Sequence, residues 1–153
     1  MFCYMADKET NQFFLIAGPC VVESREICFE IANRLKEITD ALGIDYIFKA
    51  SYRKANRSRL DSFSGIGDEK ALAILAEIRE QLNIPVLTDI HSAEEASIAA
   101  RYVDVIQIPA FLCRQTDILV AAALTGKTVN IKKGQFLSPS SMEFAARKIA
   151  ESG

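Results

Sequence analysis

The chain has 153 residues, half of them apolar and a quarter charged, which suits a globular domain with enough apolar side chains for a core. Its 18 basic and 20 acidic residues leave a formal charge of -2, which argues against a surface built entirely for nucleic acid. The longest purely apolar stretch, residues 118–124, is far shorter than the roughly 20 residues that span a bilayer. We therefore expect one domain over residues 1–153, with no membrane and no nucleic-acid partner.

The N-terminus and the cysteines indicate the compartment. Residues 1–11 carry Asp7 and Glu9 and have no basic region leading into an apolar run, so they do not resemble a secretory signal. The cysteines do not suggest a disulfide framework in a chain of this size. They are Cys3, Cys20, Cys28 and Cys113. We expect a cytoplasmic protein whose cysteines are thiols.

Short apolar runs alternate with longer amphipathic segments along the chain. The runs are too short for helices and are rich in Val, Ile, Phe and Tyr, which favour strands. They predict strands at 13–17, 46–50, 86–90, 105–108 and 128–132. Because helical patterns separate these strands, the chain reads as five successive βα units.

The helical segments carry apolar stripes and capping signals. The stripes are Cys28, Ile31, Leu35, Ile38 and Leu42 in one helix, and Leu72, Leu75, Ile78 and Leu82 in another. Two Ser-x-x-Glu capping boxes predict helix starts, and two glycines predict helix ends. These are Ser92 with Glu95, Ser140 with Glu143, and Gly43 and Gly126.

Polar residues at the strand ends decide between two α/β architectures. Strands joined by helices run parallel, and near-continuous apolar strands imply a sheet that is covered on both faces. Four predicted strands end at or near a polar side chain: Lys49, Asp89, Gln107 and Lys132. In a (β/α)₈ TIM barrel such side chains converge on one axis, whereas an open doubly wound sheet spreads them along a line. The barrel is favoured, and because closure takes eight units and about 250 residues, we expect a truncated barrel of about five.

A basic loop follows the second predicted strand. The segment KASYRKANRSR, residues 49–59, contains five cations and no acid. Guanidinium and ammonium groups in such a loop suit phosphate or carboxylate groups. The residues alone leave three interpretations open: an anion site, a solvated basic loop, and a loop that pairs with an acidic neighbour in an oligomer.

Other residues near the strand ends also have more than one interpretation. Lys132 is compatible with three roles: the second cation of an anion site, a Schiff-base nucleophile, and a side chain that snorkels to solvent at the rim of the sheet. The neighbouring Lys133 points to the opposite face. A cysteine such as Cys20 is, on residue type alone, more often a small buried hydrophobe than a ligand. His91 is the only histidine and cannot form a metal site by itself, and Asp89 suits a counter-ion of the cations.

Five segments of the chain closely resemble one enzyme family. They are FFLIAGPCVVES (13–24), FKASYRKANRSRLDSF (48–63), PVLTDIH (85–91), VDVIQIPAFLCRQTDIL (103–119) and VNIKKGQFLSP (129–139). In this order they resemble 3-deoxy-manno-octulosonate 8-phosphate synthase. The sibling family, 3-deoxy-arabino-heptulosonate 7-phosphate synthase, shares the Gly-Pro-Cys start but usually carries Lys-Pro-Arg where this chain has KANR at 54–57.

The resemblance implies a cytoplasmic (β/α)₈ transferase. Its reaction condenses phosphoenolpyruvate with arabinose 5-phosphate and water, giving 3-deoxy-manno-octulosonate 8-phosphate and inorganic phosphate for the lipopolysaccharide inner core. The assembly implied is a homotetramer.

The resemblance also implies roles for individual residues. The phosphoenolpyruvate side is lined by Lys49, Lys54, Gln107, Pro109, Ala110 and Lys132. The sugar is faced by Asn56 and Asp89, and its phosphate is held by Arg57 and Ser58 across a subunit interface. The residues implied in catalysis are Lys54, Asn56, Asp89 and Lys132.

Cysteine at position 20 resembles the metal-dependent type of this family, in which a thiolate helps to bind a divalent zinc, iron or manganese ion. The other ligands implied, a His, a Glu and an Asp, are expected beyond Gly153, so the 153-residue chain is expected to be inactive by itself. Three alternatives remain: the sibling synthase, a non-catalytic anion-binding remnant, and a Schiff-base aldolase that uses Lys49 or Lys132.

Overall fold

The computed structural model describes residues 13–153, which fall into two compact units, 13–88 and 89–153. The predictions that residues 1–11 are not a secretory signal and that Cys3 is a thiol lie outside the described residues. The prediction of one domain over residues 1–153 stays a prediction.

The first unit contains three strands and two long helices. In chain order they are β1 (Phe14–Ala17), α1 (Arg25–Leu42), β2 (Asp45–Lys49), α2 (Asp68–Leu82) and β3 (Val86–Asp89), whose last residue belongs to the second unit. The strands are parallel, with Ile16 opposite Ile47 and Phe48 opposite Val86. The five-residue β2 thus lies between β1 and β3.

Helix α1 is fixed at both ends by local signals. The Oγ of Ser24 accepts a hydrogen bond from the Ile27 N–H, and Gly43 ends the helix in the left-handed conformation, as its position predicted. The predicted buried stripe of α1 is wrong at its C-terminal end, because Ile38 and Leu42 are 41% and 65% exposed. The helix instead buries the narrower line of Cys28, Ala32 and Thr39.

Helix α2 buries the predicted residues Leu72, Leu75 and Ile78, while Leu82 is half-buried. Together with Phe48 of β2 and Leu87 of β3, these side chains form the apolar core of the first unit.

The second unit continues the same alternation. After the end of β3 come α3 (Ala93–Ala99), β4 (Val105–Ile108), a 3₁₀ helix (Ala110–Leu112), α4 (Thr116–Ala123), β5 (Thr128–Ile131) and α5 (Met142–Ala150). The Ile90 N–H donates to the Gln107 carbonyl just after β3, and β4 pairs with β5 in parallel.

The two predicted capping boxes are not formed. Ser92 precedes α3 as its N-cap, but its hydroxyl makes no capping bond, and Glu95 accepts from the main chain of His91. The N-cap residue of helix α5 is Ser141, one residue later than predicted, and its hydroxyl makes no capping bond. Gly126 has the predicted positive φ of 68° but follows α4 by three residues.

The order of the elements confirms the predicted fold class. Each strand pairs with the next strand in the chain and is followed by a helix, with no reversal of strand order. Doubly wound sheets contain such a reversal, whereas a (β/α) barrel does not. The chain therefore has the fold of a (β/α) barrel through five βα units.

Two sequence predictions can be compared with the described residues. Cys20, Cys28 and Cys113 are thiols, as predicted. No helix within residues 13–153 is both long enough and apolar enough to cross a bilayer.

Candidate active site

The loop after β1 packs directly on the end of β2 in the first unit. A Cβ atom on Gly18 would lie 2.2 Å from the carbonyl oxygen of Lys49, so only glycine fits there. Farther along, the Ser51 N–H donates to the Cys20 carbonyl at 3.4 Å, and the Val22 N–H donates to the Ser51 carbonyl at 2.9 Å. These contacts hold the exposed Cys20 beside the main chain that follows β2.

Two predicted site lysines meet at one buried hydroxyl. The Nζ atoms of Lys49 and Lys54 each donate to Ser51 Oγ at 2.9 Å, and Ser51 has no exposed surface. Because both nitrogens bond the same oxygen, they lie no more than twice that distance apart. Two ammonium groups this close favour an anionic ligand over a neutral one.

The rest of the basic loop is less uniformly cationic than its sequence suggests. Arg53 forms a 2.7 Å ion pair with Asp68, and Arg59 binds Asp61 through two nitrogens at 2.9 and 2.7 Å. The Arg59 guanidinium holds the pKa of Asp61 below its ordinary value. Two of the five cations, Arg53 and Arg59, are therefore neutralised by acids close in the chain. These two guanidinium groups pair within the loop region itself, which makes them weaker candidates for an anion site.

The remaining predicted residues of this loop are at its surface. Asn56, Arg57 and Ser58 are exposed, and Arg57 Nε donates to the Phe63 carbonyl at 3.0 Å. The terminal nitrogens of Arg57 have no hydrogen bond to any described residue, so they are available to an anion from outside the loop.

Asp89, in the second unit, lies in a buried row of titratable groups. Asp89 Oδ2 is 3.3 Å from His91 Nε2, and His91 Nδ1 is 3.3 Å from Glu95 Oε2. The His91 main-chain N–H also donates to Glu95 Oε2 at 2.6 Å. The side chain of His91 is 8% exposed, so this histidine packs among carboxylates at the strand end.

Strands β4 and β5 present a bonded pair of amides. Asn130 Nδ2 donates to Gln107 Oε1 at 2.9 Å, and the two residues are opposite each other in the strand register. Gln107 is buried. Pro109 and Ala110, which follow it, start the 3₁₀ helix, whose first turn is closed by the Leu112 N–H on the Pro109 carbonyl.

The two lysines after β5 differ in their surroundings. Lys133 Nζ donates to the carbonyls of Gly134 and Leu137. The side chain of Lys132 is exposed and makes no hydrogen bond or ion pair with residues 13–153. Its main-chain N–H donates to the Ile108 carbonyl and anchors it beside β4.

Three residues in these groups were not among the predicted site residues. Ser51 and Asn130 could have been found from strand alternation, because each lies two residues from a predicted lysine, Lys49 or Lys132, and shares its face. Glu95 was predicted only as half of a capping box. Its four-residue spacing from His91 is the signal that links the two.

A metal site is not complete among the described residues. Cys20 supplies one thiol, and residues 13–153 contain no group of three or more His, Cys, Asp or Glu side chains arranged to hold an ion. The described donors therefore do not fit a metal by themselves, and no chemistry is derived from one.

A comparison with known families assigns the chain. The sequence profile of the DAHP synthetase I family matches residues 6–153, nearly the whole chain. The chain belongs to the DAHP synthetase I family. This membership agrees with the parallel βα units and with the strand-end cations described above.

Individual members of the DAHP synthetase I family refine the comparison. The chain is 53% identical over 141 residues to a protein of Bartonella henselae, covering 92% of this chain and 50% of that one. It is 57% identical over 141 residues to a protein of Brucella anthropi, covering 92% and 51%, and 61% identical over 131 residues to one of Paracidovorax citrulli, covering 86% and 46%. All three are named 2-dehydro-3-deoxyphosphooctonate aldolase, another name for the synthase that the motifs resemble. The chain spans about half the length of the curated relatives it matches.

Proposed function

We propose that the natural protein bearing this chain is a cytoplasmic synthase that condenses phosphoenolpyruvate with arabinose 5-phosphate and water. The products are 3-deoxy-manno-octulosonate 8-phosphate, a lipopolysaccharide precursor, and inorganic phosphate. Support comes from the family membership and from the shared name of relatives that are 53–61% identical to it.

The observation that carries the proposal is the convergence of Lys49 and Lys54 on Ser51. Phosphoenolpyruvate bears a carboxylate and a phosphate, and each is an oxyanion that ammonium groups bind through charge-assisted hydrogen bonds. We assign these lysines to phosphoenolpyruvate. We assign Gln107, Pro109, Ala110 and Lys132 to the same substrate.

The sugar phosphate is assigned to the other predicted residues. Asn56 and Asp89 bind the hydroxyls, since an amide and a carboxylate are suitable partners for them. Arg57 and Ser58 bind the terminal phosphate. Because both are exposed in the first unit, their proposed ligand is the sugar held by a neighbouring subunit of a homotetramer.

In the proposed reaction, C3 of phosphoenolpyruvate forms a bond to the aldehyde carbon while the aldehyde oxygen takes up a proton. Water adds at C2, and the C2–O bond to the phosphate breaks, which releases inorganic phosphate. The chain's residues supply position and charge: the lysines hold an anion in register, and Lys54 polarises or protonates the aldehyde oxygen. Lys132 acts as an electrostatic and acid-base group.

Cys20 is proposed as one ligand of a divalent zinc, iron or manganese ion. A thiolate is a suitable ligand for such an ion. No step above depends on that ion, because residues 13–153 supply too few ligands to complete its site.

The test is phosphate release by the full-length natural protein from phosphoenolpyruvate labelled with ¹⁸O at its bridging oxygen. We expect release that requires arabinose 5-phosphate and carries the label into inorganic phosphate, because the C–O bond is the one broken. A label retained in the sugar product would overturn the mechanism. Absence of release with the metal-loaded protein would overturn the activity.

A further inference from the structure

We propose that Glu95 is a positioning residue, which holds the His91 imidazole so that its Nε2 atom faces the carboxylate of Asp89. The inference rests on the proposed function in taking Asp89 as a residue that binds the sugar hydroxyls. Glu95 thereby gains a role beyond the capping box that its sequence position predicted.

The turn between β3 and α3 directs Glu95 back toward His91. Ser92 is the N-cap residue of α3, and Glu95 is the third residue of that helix. In a capping box such a glutamate accepts a hydrogen bond from the main-chain N–H of the N-cap residue. Here Glu95 Oε2 accepts instead from the main-chain N–H of the preceding residue, His91, at 2.6 Å. A charge-assisted bond of this length fixes the carboxylate beside the His91 backbone.

The same carboxylate oxygen also contacts the imidazole ring. Glu95 Oε2 lies 3.3 Å from His91 Nδ1, and His91 Nε2 lies 3.3 Å from Asp89 Oδ2, so the ring lies between two carboxylates. Turning the ring by half a rotation about χ2 would put a carbon atom in the place of each nitrogen. The contact with Glu95 favours the orientation in which a nitrogen faces each carboxylate. Glu95 therefore determines what the ring presents to Asp89.

The backbone and helix that carry this row are held in place within the second unit. Ile90, between Asp89 and His91, has no exposed surface, and its N–H donates to the Gln107 carbonyl at 3.1 Å. Helix α3, which carries Glu95, packs against α4. The three side chains of the row are themselves largely buried. We therefore expect a change at Glu95 to reach Asp89 through the imidazole ring and not through a movement of the backbone.

The experiment compares Glu95→Ala and Glu95→Gln with the control Glu94→Ala in the full-length natural protein. Alanine removes the acceptor, whereas glutamine keeps an oxygen that can accept from the His91 N–H but lacks the charge. Glu94 carries the same charge in the same turn of α3, and it is exposed. Thermal unfolding of all the proteins identifies any variant that is misfolded.

The first readout needs no ligand. The protein is labelled with ¹⁵N-histidine, and the NMR signals of the His91 main-chain amide and ring are identified by their loss in His91→Gln. We expect the amide and ring signals to shift in Glu95→Ala, the ring signals to shift in Glu95→Gln, and none to shift in Glu94→Ala. Unchanged signals in folded Glu95→Ala would overturn the positioning role.

The second readout is steady-state kinetics with both substrates. We expect the KM of arabinose 5-phosphate to rise roughly tenfold in Glu95→Ala and less in Glu95→Gln, with little change in the KM of phosphoenolpyruvate. If the parent uses arabinose 5-phosphate and Glu95→Ala has the parental KM for it, the positioning role is overturned and the proposed function stands. If the His91 signals shift but the parent does not use arabinose 5-phosphate, the proposed function fails and the positioning of His91 stands.

A double-mutant cycle tests whether Glu95 acts through His91. The KM of arabinose 5-phosphate is measured for His91→Gln, for Glu95→Ala and for the variant that carries both substitutions. The cycle isolates the coupling between the two residues from contacts that either of them makes elsewhere. We expect the double variant to have nearly the same KM as His91→Gln alone. Effects on KM that multiply would show that Glu95 acts independently of His91 and would overturn the positioning role.

Discussion

Asn130 Nδ2 donates a 2.9 Å hydrogen bond to Gln107 Oε1 and so orients the Gln107 amide from the neighbouring strand. The carbonyl side of Gln107 is occupied by this bond, which directs its NH₂ group, a donor, toward any ligand. A donor is what an oxyanion requires, and Gln107 is one of the residues assigned to phosphoenolpyruvate.

Replacing Asn130 tests this relationship. Asn130→Ala removes the donor that orients Gln107, and we expect the KM of phosphoenolpyruvate to rise about fivefold with a smaller change in kcat. The control is Asn33→Ala, because Asn33 is exposed and, among the described residues, bonds only the Phe29 carbonyl of its own helix. Steady-state kinetics with equal KM values for Asn130→Ala and the parent would contradict the assignment.

The close approach of Gly18, in the loop after β1, to the main chain of Lys49 leads to a prediction about stability. Gly18→Ala places a Cβ atom 2.2 Å from the Lys49 carbonyl oxygen, so the backbone must move, and we expect a loss of about 2 kcal/mol or more. Gly43→Ala meets no atom within 4 Å, and its cost is the left-handed conformation alone, about 1 kcal/mol. Urea unfolding of both variants measures the difference, and equal losses would contradict the close approach of Gly18 to Lys49.

Substitutions of the two lysines after β5 should have separate effects, one on catalysis and the other on stability. Lys132→Met should reduce kcat at least about 100-fold, because it removes the proposed electrostatic and acid-base group. The free energy of unfolding should stay unchanged, because the Lys132 side chain makes no hydrogen bond or ion pair with a described residue. Lys133→Met should cost up to about 1 kcal/mol of stability and affect kcat far less, because it removes two bonds to loop carbonyls. Kinetics and urea unfolding of this adjacent pair check both statements. The reverse pattern would show that the roles are exchanged.

The three described thiols should differ in reactivity. Cys20 is exposed, whereas Cys28 and Cys113 are buried, and burial also raises the pKa of Cys28. Since the thiolate is the reactive form, we expect iodoacetamide to alkylate Cys20 at least about tenfold faster than the other two. Peptide mapping of the folded protein over time gives the three rates. Comparable rates would contradict the burial of the two slower thiols.

Much of the fold could be predicted because strands and barrel topology leave strong local patterns. The five observed strands all agree with the predicted ones within one residue at each end. The buried stripe of α1 could not be predicted in the same way. Spacing alone favours Ile38 and Leu42, but burial depends on which elements pack against the helix, and Ala32 and Thr39 face that contact instead.

The strand-end residues of the candidate site could be predicted from the sequence, but the hydrogen-bond and ion-pair partners of the site residues could not. Lys49, Asp89 and Gln107 lie at or next to the ends of their strands, as alternation indicated. The bonds from Lys54 to Ser51 and from Arg53 to Asp68 depend on how the loop between β2 and α2 folds back. No periodic pattern encodes that path, so these contacts required the structure.

The most direct test of the central proposal is a competition between two aldose phosphates. The full-length natural protein is given phosphoenolpyruvate with equal concentrations of arabinose 5-phosphate and erythrose 4-phosphate, and the products are measured by mass spectrometry. We predict that the eight-carbon sugar acid phosphate accounts for nearly all of the product. A seven-carbon product would contradict the account and assign the chain to the sibling synthase.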